Sequence, residues 1–262
     1  MPTIELNGMT TTYETHGEGP ALLAIMGLTG SRGHWMGFPE RFADRYKVIT
    51  FENRGITRPA PAGPYSALQM AEDALALLDR LGIERANVFG VSMGGMIAQE
   101  LVLRAPERVT KLVLGCTHFG GRNVLPPLPE VIAAFASMGK EGPEVSIRRL
   151  LTANFSDRFV TERADIVEQL VRYGLEHRMP SAGFQGQFMA VTSHDTASRV
   201  ANIQVPTLLL TGDQDKLIPH GNTERLVAAI PNARAITFEG AGHMFWVEAA
   251  DAAEAAIRAF LG

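Results

Sequence analysis

Between Asn87 and Ala105 the sequence encodes a strand that passes at once into a helix. Asn87-Val88-Phe89 reads as the end of a buried strand. Met93 to Ala105 reads as a helix with Ile97, Leu101 and Ala105 on one face. Gly90-Val91-Ser92-Met93-Gly94 lies between them. So abrupt a reversal leaves almost no room for side chains beside the turn. Gly90 and Gly94 supply that room, and Ser92 can then take up strained backbone geometry with its hydroxyl held outward. The helix start behind it offers free N–H groups and a positive dipole end to a developing oxyanion. A glycine-rich turn with a capping serine would use the same residues, so the rest of the chain has to supply a base, an acid and a second donor.

Other segments set the architecture. Ala21–Met26, Lys47–Phe51, Lys111–Cys116 and Val205–Thr211 are continuous apolar or β-branched runs, as in strands buried on both faces of a parallel sheet. Thr3–Leu6 and Met9–Glu14 flank Asn7-Gly8, a hairpin signal. Ala233–Phe238 reads as a late strand. Ser66 opens a helix with Leu68, Ala71, Leu75, Leu78 and Leu81 in register, ended by Gly82. Further helices are expected over Asn222–Ile230, over Ala252–Leu261 and, interrupted near Pro39, over Trp35–Arg45. From about Gly120 to Arg199 strand-like runs disappear. Val131–Met138, Val145–Ala153 and Ile166–Leu175 read as short helices after the hinge-like Leu125–Pro129. The expected organisation is an α/β core over 1–119 and 200–262, with a helical cap, 120–199, inserted between two core strands.

The loops that follow the strands carry the polar groups. Gly27-Leu28-Thr29-Gly30 follows Ala21–Met26, and the backbone N–H groups of Leu28 and Met93 are the expected oxyanion donors. Asp213 and Asp215 follow Val205–Thr211, and His243 lies in Gly240-Ala241-Gly242-His243 after the last strand. Arg54, in the turn after Lys47–Phe51, reads as a structural salt-bridge residue. His118 reads as a pocket-rim residue, Cys116 as a small core residue, and His177 and His194 as exposed or core polar residues. No metal-ligand spacing is evident among the 7 histidines. A net charge of −4 gives no case for binding nucleic acid or an anionic membrane. No apolar run approaches the ~18 residues of a membrane helix. One cysteine among 262 residues and the absence of a signal-peptide pattern at Met1–Asn7 suit a reducing, cytoplasmic setting.

Gly90-Val91-Ser92-Met93-Gly94-Gly95, Gly212-Asp213-Gln214-Asp215 with Pro219, and Gly240-Ala241-Gly242-His243, in that order along alternating strands and helices, make the whole chain resemble the α/β-hydrolase family. Phe51-Glu52-Asn53-Arg54-Gly55 and Val91 to Glu100 resemble its enol-lactonase and small carboxylesterase or methylesterase members. The resemblance implies a mostly parallel eight-stranded sheet with helices on both faces. It also implies a Ser92–Asp215–His243 triad, with Asp215 as the acid because it stands three residues after the glycine. Met26 stands where many members have histidine, which makes the pocket floor more apolar. The expected activity is cofactor-free hydrolysis of a lipophilic ester or lactone by a monomer or homodimer. Met26, Leu28, His118, Phe135, Met138, Phe188, Leu217, Met244 and Trp246 are the expected pocket wall. C–C bond hydrolysis, perhydrolysis (haloperoxidase-type activity) and a ligand receptor that keeps the triad use the same frame.

Overall fold

A computed structural model describes residues 1–138 and 140–262. Its centre is a sheet of eight strands in the order β1-β2-β4-β3-β5-β6-β7-β8. β1 (Thr3–Leu6) and β2 (Met9–His16) form a hairpin through Asn7 and Gly8, whose φ angles of 44° and 77° suit the tight turn that Asn-Gly favours. β2 runs antiparallel to β4, and all pairings beyond it are parallel. The parallel strands are β3 (Ala21–Ile25), β4 (Lys47–Phe51), β5 (Ala86–Val91), β6 (Val109–Gly115), β7 (Thr207–Gly212) and β8 (Ala233–Phe238). β5 and β7 are buried along their whole length, which is why their sequences show no alternation.

Helices cover both faces. α1 (Ala67–Arg80), α2 (Met93–Arg104) and α8 (Gly221–Ala229) pack on one side, around Met70, Leu77, Ile97 and Leu226. Ser66 caps α1, its side chain accepting a hydrogen bond from the Gln69 amide at 3.1 Å. The four-residue α9 (Phe245–Glu248) and α10 (Ala250–Leu261) pack on the other side with Trp35, Phe38 and Phe42. The expected helix over Trp35–Arg45 is not formed. Two short 3-10 turns, Arg32–Trp35 and Pro39–Phe42, take its place, because Met36 and Gly37 adopt φ of 52° and 74° and break any helical path. No helix among the described residues is long and apolar enough to cross a membrane.

Among the described residues five α-helices lie between β6 and β7: α3 (Pro129–Ser137), α4 (Pro143–Ala153), α5 (Asp157–Glu162), α6 (Ala164–Glu176) and α7 (Ser181–Thr192). The ends of this insertion meet, where Gly120 bridges Asp195 and the Thr196 amide donates to the Phe119 carbonyl at 2.7 Å. Its helices join different parts of the core. Leu151, Phe155, Phe159, Leu170 and Val171 extend the α10 side, whereas Ala190 of α7 packs with the α2 side. The sequence does not announce α5 and α7. The buried face of α7 is Gly183, Gly186, Gln187 and Ala190, too small and polar to register as a hydrophobic stripe.

Arg54 meets Asp73 of α1 in a two-bonded ion pair, Nε to Oδ2 at 2.8 Å and Nη2 to Oδ1 at 2.7 Å. Both side chains are buried, and Asn7 adds a donor to Asp73 at 3.0 Å. Burial pushes the Asp73 carboxyl above its usual range in spite of the guanidinium. Removing one partner strands a buried charge. Asp73→Ala should therefore lower stability in denaturant unfolding by about 3–5 kcal/mol, and the apolar pair Arg54→Met with Asp73→Leu should regain most of that loss.

Candidate functional site

Ser92 is the single residue between β5 and α2, with φ 57° and ψ −122°. A serine held at such angles is strained, and the surrounding backbone has to enforce it. Close approach does so. A Cβ built at Gly90 would lie 2.2 Å from the Gly94 carbonyl oxygen, and one at Gly94 would lie 2.0 Å from that of Ile25. The Ser92 amide donates to the Gly115 carbonyl at 2.8 Å, and the Thr117 hydroxyl donates to the Ser92 carbonyl at 2.8 Å. The turn is thus clamped between β3 and β6. The Ser92 side chain caps no helix amide. Gly27 lies directly beside it, since a Cβ there would sit 3.0 Å from Ser92 Cβ and 3.4 Å from its Oγ.

The β7 and β8 loops bring Asp215 and His243 together. Asp215 Oδ1 accepts hydrogen bonds from the Leu217 and Ile218 amides, both at 2.8 Å, which fixes the carboxylate plane. Its Oδ2 meets His243 Nδ1 at 2.8 Å. Both residues are buried. Burial acts to lower the imidazole pKa, but the Asp215 carboxylate outweighs it and holds His243 well above the ordinary 6.5. With Nδ1 donating to Asp215, Nε2 is left as the exchangeable position. Asp213 belongs to a different contact: its Oδ1 accepts from the Gly240 amide at 2.8 Å and ties the two loops together.

Cys116 is more than a small core residue. It follows β6 with φ 40°, and its buried thiol lies against the Ser92 backbone and the His243 ring. Burial pushes that thiol above its usual range, so it is a neutral neighbour and no ready nucleophile. The Ser92 side chain makes no cap hydrogen bond to α2, and the residue after β6, Cys116, stands beside the Asp215–His243 pair. The sequence shows no ligand spacing, yet the fold gathers Cys116, Asp215 and His243 with donor atoms within 4.8 Å of one another. Asp215 already satisfies both its oxygens with N–H groups, so hydrogen bonding is the role its geometry expresses.

The expected pocket wall divides into two sets. Met26, Met244 and Trp246 are buried in the core beside α10, and Met26 packs beneath Gly30. The Trp246 indole donates to the His34 carbonyl at 3.1 Å, and its edge borders an outer cleft of about 510 Å³ with Phe38 and Arg163. These three are as deeply buried as His243 beside them. Their run of apolar residues after β3 and β8 looks the same in sequence whether it faces a ligand or the core. Leu28, His118, Phe135, Met138, Phe188 and Leu217 all stay partly exposed. Phe188 lies 6.0 Å from Phe135 and stacks on Phe184 at 5.8 Å, ring centre to ring centre. The Gly120 amide donates to His118 Nδ1, and burial lowers the His118 pKa to about 4, so this imidazole is neutral. Buried His194 lies 6.3 Å from it, while His177 is exposed. The charge of Arg54 is committed to Asp73.

Three supporting residues escape a reading of the sequence. The Asn53 side chain donates to the Met26 carbonyl at 2.8 Å, fixing the start of the Gly27–Gly30 loop. Gln187 of α7 accepts from the Thr29 amide at 2.9 Å and donates to the Arg54 carbonyl at 2.8 Å. Glu248 accepts from the amides of Gly242 and Ser156 and from the Ser156 hydroxyl, fastening the His243 loop to α5. Only Asn53 lies in a segment that the motifs mark.

A family model for the alpha/beta hydrolase fold matches residues 20–250. A protein of Azorhizobium caulinodans named for carbamate hydrolysis is 31% identical over 238 residues, covering 89% of this chain and 88% of its own. A 2-hydroxy-6-oxononadienedioate hydrolase of Cupriavidus pinatubonensis is 29% identical over 265 residues, covering 97% and 88%. Among solved structures, an enol-lactonase from Burkholderia xenovorans superposes with a TM-score of 0.88 at 25% identity, covering 99% of both chains.

The Asp215–His243 contact is directly measurable. Proton NMR should show a strongly downfield imidazole N–H resonance that persists in Asp213→Ala and disappears in Asp215→Ala.

Proposed function

The chain belongs to the α/β-hydrolase family, and from that premise we propose that it is a serine hydrolase opening a carboxylic ester or lactone of a small to medium lipophilic substrate through an acyl-enzyme. One observation carries the reading. A serine at φ 57° follows β5, and a buried Asp–His pair, joined at 2.8 Å, follows β7 and β8 at the same end of the parallel strands. A fold alone would not specify that chemistry.

In this reading Ser92 attacks the carbonyl carbon and His243 Nε2 takes its proton. Asp215 holds the imidazole with Nδ1 as donor and stabilises the imidazolium as it forms. The Leu28 and Met93 amides receive the oxyanion. Gly27 makes that possible, because the absence of a side chain brings the Leu28 peptide up to Ser92. One such donor contributes on the order of 3 kcal/mol in another serine hydrolase. His243 then protonates the leaving alcohol, and water attacks the acyl-enzyme by the same route. That the Ser92 side chain makes no cap hydrogen bond to α2 is compatible with this path, since catalytic hydrogen bonds tighten once substrate is seated. We assign 120–199 as a cap, with Phe135, Met138, Phe188, Leu28, Leu217 and neutral His118 lining an apolar acyl pocket. The single buried cysteine suits a reducing compartment such as the cytoplasm.

The relatives are named for carbamate, dienedioate and enol-lactone hydrolysis, so the test ranks reaction classes. A purified-protein panel of p-nitrophenyl esters, lactones, carbamates and 2-hydroxy-6-oxo-dienoates should give the highest kcat/KM for an ester or lactone. A carbamate or dienoate at the head of the ranking would change the reaction class and leave the triad in place. Ser92→Ala should lower kcat by at least about 10,000-fold, and Asp215→Asn by roughly 1,000–10,000-fold; Asp213→Asn should cost far less. The base must be neutral to act, so kcat/KM is present above the His243 pKa and lost as pH falls through it. Because Asp215 raises that pKa, the acid limb of the wild-type profile should lie above 6.5 and move downward in Asp215→Asn.

A further inference from the structure

We propose that Gln187, on the inserted helix α7, is a positioning residue that holds the Gly27–Gly30 loop in the conformation that aims the Leu28 amide at the reacting carbonyl. This rests on the reading of that amide as an oxyanion donor.

The loop is a tight turn that does not hold itself. The Gly30 amide returns to the Gly27 carbonyl at 3.1 Å, and Thr29 between them has φ 61°. A β-branched residue resists that left-handed conformation at a cost comparable to the net value of one hydrogen bond. Were Thr29 to relax, the Leu28–Thr29 peptide would rotate, and with Gly27 and Gly30 held in place the φ and ψ of Leu28 would have to compensate, turning the Leu28 N–H. Asn53 fixes only the entrance to the turn, through the Met26 carbonyl. The strained residue itself is held by Gln187 Oε1, which accepts from the Thr29 amide.

The other end of the Gln187 amide is anchored on rigid ground. Nε2 donates to the Arg54 carbonyl, and the Arg54 side chain is locked to Asp73. The Gln187 side chain is fully buried and its bond to the Arg54 carbonyl is buried with it, while its bond to the Thr29 amide is part-buried. Its reach is set by the same helix. A Cβ at Gly183, one turn earlier, would lie 2.0 Å from the Gly55 carbonyl oxygen. That backbone-to-backbone contact brings α7 down onto the β4 turn and leaves Gln187 spanning the gap from that turn to the loop. The insertion would thus contribute a strut to the reaction centre as well as a wall to the pocket.

A strut and a packing residue differ in what they change. If Gln187 positions the oxyanion donor, Gln187→Leu should lower kcat for a p-nitrophenyl ester by about 30-fold with KM within about twofold. The inhibition constant of an alkylboronic acid, which forms a tetrahedral adduct on serine, should weaken by a similar factor. Gln187→Glu supplies a second readout and guards against a leucine variant that fails to fold. A buried, protonated carboxyl can accept from Thr29 and donate to Arg54, whereas a carboxylate cannot donate. Its kcat relative to wild type at each pH should be near normal at low pH and fall as pH rises. Full kcat and unchanged boronate affinity in Gln187→Leu, or a flat ratio across pH in Gln187→Glu, would overturn the inference. If Ser92→Ala retained turnover, or the boronate failed to bind wild-type protein, the serine-hydrolase reading would fall first and this inference with it.

Discussion

The crowding of backbone at the start of α2 is the constraint on which the site depends. Ser92 keeps its positive φ because Gly94 lies against the Ile25 carbonyl and Gly90 against Gly94, so β3, β5 and α2 meet without intervening side chains. The strain of that one residue is offset by the buried sheet around it: β5 lies between β3 and β6 with every residue covered. Loosening the contact would cost more than a turn. It would move the proposed nucleophile, the first helix amide and the Gly27 loop together, because all three share the same few ångströms.

A second dependence runs through the insertion between β6 and β7. The His243 loop is fastened to it twice, by Glu248 to Ser156 and by the Met244 amide to the Asn154 carbonyl at 2.9 Å. The Gly27 loop is fastened to it once, by Gln187. Because α4–α6 join the core beside α10 and α7 joins the core beside α2, these helices span the sheet's two sides. Burial pushes the Glu248 carboxyl above its usual range, which marks how far that fastening lies from water. A lid resting on a finished site would need none of these bonds.

The sequence was legible where one element's chemistry decides its conformation. Continuous apolar runs marked β3, β4, β6 and β7, Asn-Gly marked the hairpin, and Ser66 marked the start of α1. The family's spacing singles out Asp215 over Asp213, and Asp215 is the one whose carboxylate meets His243 Nδ1. Pairwise geometry was not legible. Apolar residues at strand ends such as Met26, Met244 and Trp246 serve a core and a ligand equally well, and sequence alone does not separate the two roles. Cys116 looked inert because nothing along the chain places it near His243. Gln187 and Glu248 act across 158 and 92 positions of sequence, and no local pattern records such a bond. The segment Trp35–Arg45 has helical spacing, but Met36 and Gly37 turn left-handed as the chain returns toward β4.

Ser92, Asp215 and His243 follow β5, β7 and β8 at the same end of the parallel strands, and the proposed chemistry requires that the Ser92 hydroxyl become acylated. Rapid quenching of the enzyme during turnover of a p-nitrophenyl ester, followed by peptide mass analysis, tests this most directly. One acyl group per chain is expected, on the peptide bearing Ser92, accumulating further when deacylation is slowed. Turnover with no acylated species, or an acyl group carried by Cys116 or any residue other than Ser92, would contradict it.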